Sequence, residues 1–150
     1  MMIFATVVTG FLTFVLGQIF LRLVIEPVSD FKRHVAVIAD SLIDCAAPLS
    51  NLPVPEDKAS DTEAHFRRLA SKLQATFYLI PRYDLTARVF GLPNLQAVHT
   101  AAGKLIGLSN SVYDSGSKAS IRSAYEQQEV CDALGIYVPP EQRISQPRFR

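Results

Sequence analysis

The sequence predicts an all-α protein: one N-terminal transmembrane helix followed by a cytoplasmic bundle of about four helices. Three observations carry the prediction. Residues 1–21 contain no ionisable side chain. Beyond them, apolar residues recur at helical spacing in four separate stretches. Proline, glycine and capping residues punctuate the chain between those stretches, and no run alternates as a half-buried strand would. The one β-like run, residues 76–80, continues a helical stripe and stops at Pro81.

The first stretch reads MMIFATVVTGFLTFVLGQIFL. At about 1.5 Å of rise per residue it covers the roughly 30 Å hydrocarbon layer as a single helix. Lipid offers no partners to backbone N–H and C=O groups, so a lone crossing segment has to be helical. Its only polar side chains are Thr6, Thr9, Thr13 and Gln18. A cleaved signal peptide is the rival interpretation. It would need a basic leader, a shorter apolar core and a small-residue cleavage site, and nothing basic precedes Ile3. Arg22, Lys32 and Arg33 follow the span at once. The positive-inside rule therefore places the N-terminus outside and the body of the chain in the cytoplasm. Thr6, Gly10, Thr13 and Gly17 form a stripe of small residues on one face, where a second membrane helix could approach closely.

Pro27 lacks an N–H and crowds the preceding turn, so a break is expected there, with the anchor ending at residue 26 and a new helix starting at Pro27. From there Val28, Phe31, Val35, Ile38, Leu42, Cys45 and Leu49 repeat at alternating steps of three and four. That is a heptad seam. Extra apolar width around residues 35–39 favours entry into a bundle core within the chain over a two-stranded coil between chains. Val28, Phe31, Val35, Ile38 and Leu42 are accordingly the candidate interaction seam.

Residues 48–60, with three prolines and then the charged PEDKASD, predict a surface linker. Ser60 and Glu63 have capping-box spacing and predict a helix from Asp61 or Thr62 to Ile80. Phe66, Leu69, Leu73, Phe77 and Ile80 form its apolar stripe. A short helix over 84–90 should end at Gly91, and Asn94 should cap the next, to about Val112. Ala101, Ala102, Gly103 and Gly107 thin one side of that helix, where a neighbour could come close, or the glycines merely loosen it. After a loop at 113–118, a last helix runs over 119–134, with Gly135 and Ile136 suited to a Schellman ending. The bundle domain is thus expected over 27–137. Residues 138–150, with Pro139, Pro140 and Pro147, predict an extended or disordered basic tail.

The 150-residue chain leaves about 125 residues past the anchor, enough for one modest domain. Fifteen basic residues face 14 acidic ones, a formal net charge of +1, which argues against a nucleic-acid or strongly acidic partner. Cys45 and Cys131 lie far apart in helical apolar patterns, which favours two buried thiols over a disulfide. His34, His65 and His99 fall on three different predicted helices. None has a neighbouring ligand at strong metal spacing, apart from Asp30 four residues before His34. There is no nucleophile elbow, P-loop, C-x-x-C or H-E-x-x-H. No catalytic, metal or cofactor residue is therefore assigned. In YLIPRYDLTARVF, Arg82 and Arg88 alternate with Tyr83 and Phe90, which suits either ordinary packing or an element at a membrane surface.

Three patterns occur together: GQIFLRLVIEPVSDFKRHVAVIADSLI at 17–43, ASKLQATFYLIPRYD at 70–84 and KLIGLSNSV at 104–112. As a set, the IEP, LIP and IGLSNS steps resemble a group of small, single-pass bacterial membrane proteins of unknown function. The resemblance covers residues 17–136. It implies a bacterial inner-membrane location and nothing about chemistry. The expected role is a non-enzymatic interaction or scaffold protein that contacts the bilayer and a protein partner, either another membrane protein or itself. The alternatives are a membrane-active effector that oligomerises through its transmembrane helix, and an enzyme whose residues carry no recognisable motif.

Overall fold

The structure, a computed structural model, describes residues 2–50 and 52–144. These residues form helices and connecting turns, with no strand among them. Helix α1 (Met2–Phe20) passes through a π-helical turn, Leu21–Ile25, directly into α2 (Glu26–Asp44). The expected break at Pro27 does not occur: residues Ile3–Asp44 are one continuous helix of 42 residues. The reason lies one turn earlier. The Glu26 N–H donates to the Leu21 carbonyl, five residues back. This wider turn opens the ladder where the proline ring would otherwise meet the carbonyl four residues before it. The domain boundary expected at residue 26 therefore falls inside an unbroken helix.

Beyond Asp44 come α3 (Ala46–Ser50), α4 (Glu56–Tyr78), α5 (Tyr83–Phe90), α6 (Leu95–Ser111) and α7 (Ser117–Leu134). Part of the expected linker at 48–60 is thus helical at both ends. In α3, Leu49 is buried in the core. Helix α4 starts five residues before the expected Asp61. The Pro55 carbonyl accepts from the N–H groups of Lys58 and Ala59, both at 2.9 Å. Glu56 and Asp57 then lie in the first turn, where carboxylates oppose the helix dipole favourably. The capping-box spacing is incidental, because Ser60 already lies inside the helix. The Glu63 carboxylate instead pairs with Arg67 at 3.0 Å and accepts from the Tyr113 hydroxyl at 2.8 Å.

The other helix ends follow local chemistry. Asn94 Oδ1 accepts from the Ala97 N–H at 2.8 Å, and Gly91 and Gly135 both turn the chain with positive φ. The Ile136 N–H reaches back to the Cys131 carbonyl at 2.8 Å, closing the Schellman motif, and Ile136 packs against the core. Asn94→Ala should cost the bundle roughly 1 kcal/mol. The check is thermal unfolding of the full chain in detergent, followed by loss of helical signal.

Helices α2, α4, α6 and α7 alternate in direction. His34 meets Leu69, and Ser41 meets His65, which makes α2 and α4 antiparallel. Phe77 packs on His99 while Arg67 reaches Asn110, which sets α6 antiparallel to α4. Lys104 pairs with Glu129 across α6 and α7. The core between them holds Phe31 and Ile38, Phe66 and Leu73, Leu105 and Leu108, and Val130, all fully buried. At about 1.5–3 kcal/mol for each large apolar side chain, this burial is the principal favourable contribution to the fold. Short α5 lies across the end where α4 stops and α6 begins. Its Tyr83 ring meets Phe77 and Phe31 edge-on, and its hydroxyl donates to the Pro93 carbonyl at 2.8 Å.

The start of the C-terminal tail, expected to be extended or disordered, contains a short 3-10 turn at Pro140–Gln142 and does not hang free. Arg143 pairs with Asp132 at 2.7 Å, and the Ile144 N–H donates to Gln128 Oε1 at 2.8 Å, so the tail folds back along α7. Arg148 and Arg150 lie outside the described residues.

Candidate functional site

Two features stand out from an otherwise ordinary bundle: the apolar helix that projects from it, and a basic groove on its side. The helix is long and apolar enough to cross a bilayer, and its most apolar window has no buried residue. From Ile3 to Leu23 every residue except half-buried Val15 is exposed, and partial burial resumes at Val24. An apolar surface of this extent left uncovered by its own chain is unlike a core helix, which hides the same residues. Thr6, Gly10, Thr13 and Gly17 lie along this segment, all exposed. A Cβ added at Gly10 or Gly17 would meet nothing within 4 Å. Thr13 donates its hydroxyl to the Thr9 carbonyl at 2.9 Å, satisfying the group within the helix.

The seam residues have a different fate. Val28, Phe31, Ile38 and Leu42 are buried inside the chain, and half-buried Val35 packs against the same core. The seam is therefore used for intrachain packing.

The groove lies between α2 and α4 and encloses about 570 Å³. Arg33, Arg68 and Lys72 line it with Asp30, His34 and His65. Arg33 and Asp30 approach to 3.8 Å with both side chains largely exposed, so their attraction is mostly screened. The two imidazoles hold the helices together. His34 Nε2 lies 2.9 Å from the Leu69 carbonyl, which can only accept, so that nitrogen carries the proton. Ser41 donates its hydroxyl to the Val37 carbonyl at 2.8 Å. His65 Nε2, 3.0 Å from Ser41 Oγ, is therefore the donor in that contact. His99 is exposed and stacks edge-on against Phe77, on the other side of α4. The three histidines do not converge. No group of three or more His, Cys, Asp or Glu at metal-binding spacing occurs among the described residues.

Cys45 and Cys131 are free and half-buried. Burial pushes both thiols up from their ordinary range, with Asp44 and Asp132 adding to it, so each holds little thiolate near neutral pH. Burial likewise pushes the Tyr83 hydroxyl up to about 12, aided by Asp84.

One titratable group is poorly accommodated. Glu126 of α7 faces Gly107 of α6, where an added Cβ would sit 3.0 Å from Glu126 Oε2. Gly107 is what lets this carboxylate fit between the helices, whereas a Cβ at Gly103 would meet nothing within 4 Å. Oε2 is buried with no hydrogen-bond partner. Burial raises the Glu126 carboxyl above the usual carboxylate range, against the opposing pull of Arg122 and Lys104. A raised carboxyl in the folded state costs stability wherever it must ionise. The cost is absent below the ordinary carboxylate range, grows as pH climbs to the raised value, and is complete above it. Glu126→Gln should therefore stabilise the chain at neutral pH by on the order of 1 kcal/mol and flatten that decline. Melting temperatures of both proteins across pH 4–8 would show it, the pH limits being about those of carboxylate and imidazole titration.

The groove was not visible in the sequence as a unit. Arg33 and the pair Arg68 and Lys72 lie on polar faces of helices that only the fold brings together. No protein-family model matches the chain, and comparison with curated proteins and with solved structures gave no match.

Proposed function

We propose that the chain is a single-pass membrane protein whose helical bundle stands in the cytoplasm and works by binding another protein, without chemistry of its own. One observation carries this reading: an apolar helix left wholly uncovered by a bundle that has buried its own heptad seam. A bilayer is the environment that accepts such a helix, because its backbone groups are satisfied internally and its side chains match the hydrocarbon. The orientation rests on Arg22, Lys32 and Arg33 following the span. The resemblance to small single-pass bacterial proteins supports an inner-membrane setting.

The groove between α2 and α4 is the surface best suited to the partner. It is concave, and three cations from two helices border it against one carboxylate. An acidic segment of a protein near the same membrane would meet favourable potential there, which raises the rate of encounter and rejects basic competitors. The histidines are occupied in joining α2 to α4. The test compares the wild-type chain with Arg33→Glu, Arg68→Glu and Lys72→Glu combined, each isolated from detergent-solubilised membranes. This reading expects one protein to accompany the wild type reproducibly and to be lost from the variant. A wild-type chain that runs alone as a monomer under mild extraction contradicts it.

A further inference from the structure

The end of the bundle from which α1 projects carries the exposed apolar side chains of the α4–α5 turn. Tyr78 and Leu79 are 73% and 66% exposed, and Leu85 and Val89 are 57% and 71% exposed. Leu85 and Val89 lie one turn apart on α5. They occupy the face opposite Tyr83, Thr86 and Ala87, which are buried against the bundle. Arg82 and Arg88 flank them and are exposed. Arg82 takes a left-handed backbone conformation, φ 45°, which turns the chain from α4 into α5. A non-glycine residue held there carries local strain, offset by the packing of Tyr83 that follows.

The level of this patch follows from helix pairing. Asp30, Arg33 and Val37 of α2 share the groove with Thr76, Lys72 and Arg68 of antiparallel α4. Extended by one turn, that pairing sets Tyr78 and Leu79 beside residues 25–28, where the apolar helix gives way to the bundle. Tyr83 touches Phe31, which lies about 9 Å along the axis from Ile25. The headgroup layer extends roughly 5–7 Å past the hydrocarbon, and interfacial helices sink their apolar face about 5–10 Å into it. Side chains that point from α5 away from the bundle are within that range.

We propose that the α4–α5 end of the bundle rests on the bilayer, with Leu79, Leu85 and Val89 entering the headgroup–acyl boundary and Arg82 and Arg88 meeting anionic lipid phosphates. This rests on the reading of α1 as a membrane span. Its chemistry is that of an interfacial element: apolar residues on one face, a tyrosine at the headgroup level, and arginines whose stems lie along the surface while their guanidinium groups reach phosphate. The consequence is orientational. A bundle fixed by both its helix and its end face cannot swivel, so the groove between α2 and α4 keeps a constant height and direction above the membrane.

The chain contains no tryptophan, so a single introduced one reports without background. Four full-length variants are reconstituted in phosphatidylcholine and phosphatidylglycerol vesicles, without brominated lipid and with lipids brominated either near the top of the acyl chain or near its end, the latter reaching the middle of the span. They are Leu79→Trp, Val89→Trp, Phe11→Trp within the span, and Ile43→Trp at the far end of α2, where the native side chain is 75% exposed. Leu79→Trp and Val89→Trp should emit at short wavelength and lose about half of their intensity to bromolipid, as expected for residues at the acyl boundary. Phe11→Trp should also be quenched, and Ile43→Trp should be unaffected. Water-like, unquenched emission from the two patch variants beside a quenched Phe11→Trp overturns the docking while leaving the span intact. Blue-shifted but unquenched emission that grows with protein density in the vesicle means a second copy covers the patch, and equally overturns it. An unquenched Phe11→Trp removes the span itself and the docking with it. Helical signal equal to wild type in each variant confirms that folding is unchanged.

Discussion

A chain carrying Phe11→Asp and Phe14→Asp is expected to leave the membrane fraction. Both phenylalanines are well exposed on α1, at 65% and 64%, and lie near the middle of the apolar helix. An aspartate at the centre of a spanning helix costs about 2.5–3.5 kcal/mol, so the pair costs about 5–7 kcal/mol, with the lost phenylalanine transfer added. Neither substitution touches the bundle, whose core is made by residues from Val28 onward. The expected result is a folded bundle that no longer sediments with membranes. Ile43→Asp, an equally polar change at an exposed site on the far end of the same helix, should leave the distribution as in wild type. Membrane fractionation with helical signal measured on both fractions checks the two together.

Phe31→Ala should have the largest effect on folding. Its ring is fully buried, meets Tyr83 edge-on, and joins α2 to the rest of the core. Truncating a buried phenylalanine costs about 3–5 kcal/mol through lost transfer energy and the cavity left behind. Domains of this size hold about 5–15 kcal/mol in total, so the loss would be a large share. Val37→Ala, on the exposed side of the same helix, should stay within about 0.5 kcal/mol. Denaturant unfolding of the full chain in micelles separates the two. Were the seam packed mainly between chains, Phe31→Ala would instead reduce the size of the detergent complex and barely change unfolding of the monomer.

Features set by local chemistry were readable from the sequence, and features set by distant contacts were not. Asn94, Gly91 and Gly135 mark helix ends because a cap or a left-handed turn involves only neighbouring residues. The heptad from Val28 to Leu42 marks a buried face because periodicity alone defines it. The apolar helix is equally plain, since the side chains of residues 3–21 carry no charge. Pro27 misled because a π turn five residues long can absorb a proline, and nothing in the residue types of Leu21–Ile25 announces it. Ser60 and Glu63 misled because the same spacing occurs inside a helix, and Glu63 is engaged by Arg67 and Tyr113, the latter fifty positions away. The tail was expected to be extended or disordered because the contacts of Arg143 and Ile144 with α7 lie eleven and sixteen residues back. The basic groove depends on α2 and α4 being antiparallel and adjacent, and composition cannot supply that.

The fold also gives Gly107 and Glu126 a meaning that the sequence offered only in part. A thin patch on α6 admits a carboxylate that gains no hydrogen bond for Oε2. Replacing the acid should stabilise the bundle, so the present residue is a stability cost at neutral pH and not a support.

The proposed role depends on residues 3–21 lying in lipid and staying attached to the bundle. Membranes containing the full chain, washed at alkaline pH to strip peripheral proteins, followed by mass spectrometry of the retained polypeptide, test this most directly. The predicted result is a chain that stays in the washed membrane with residues 3–21 still present. Release into the wash, or recovery of a bundle that has lost those residues to cleavage, would contradict it.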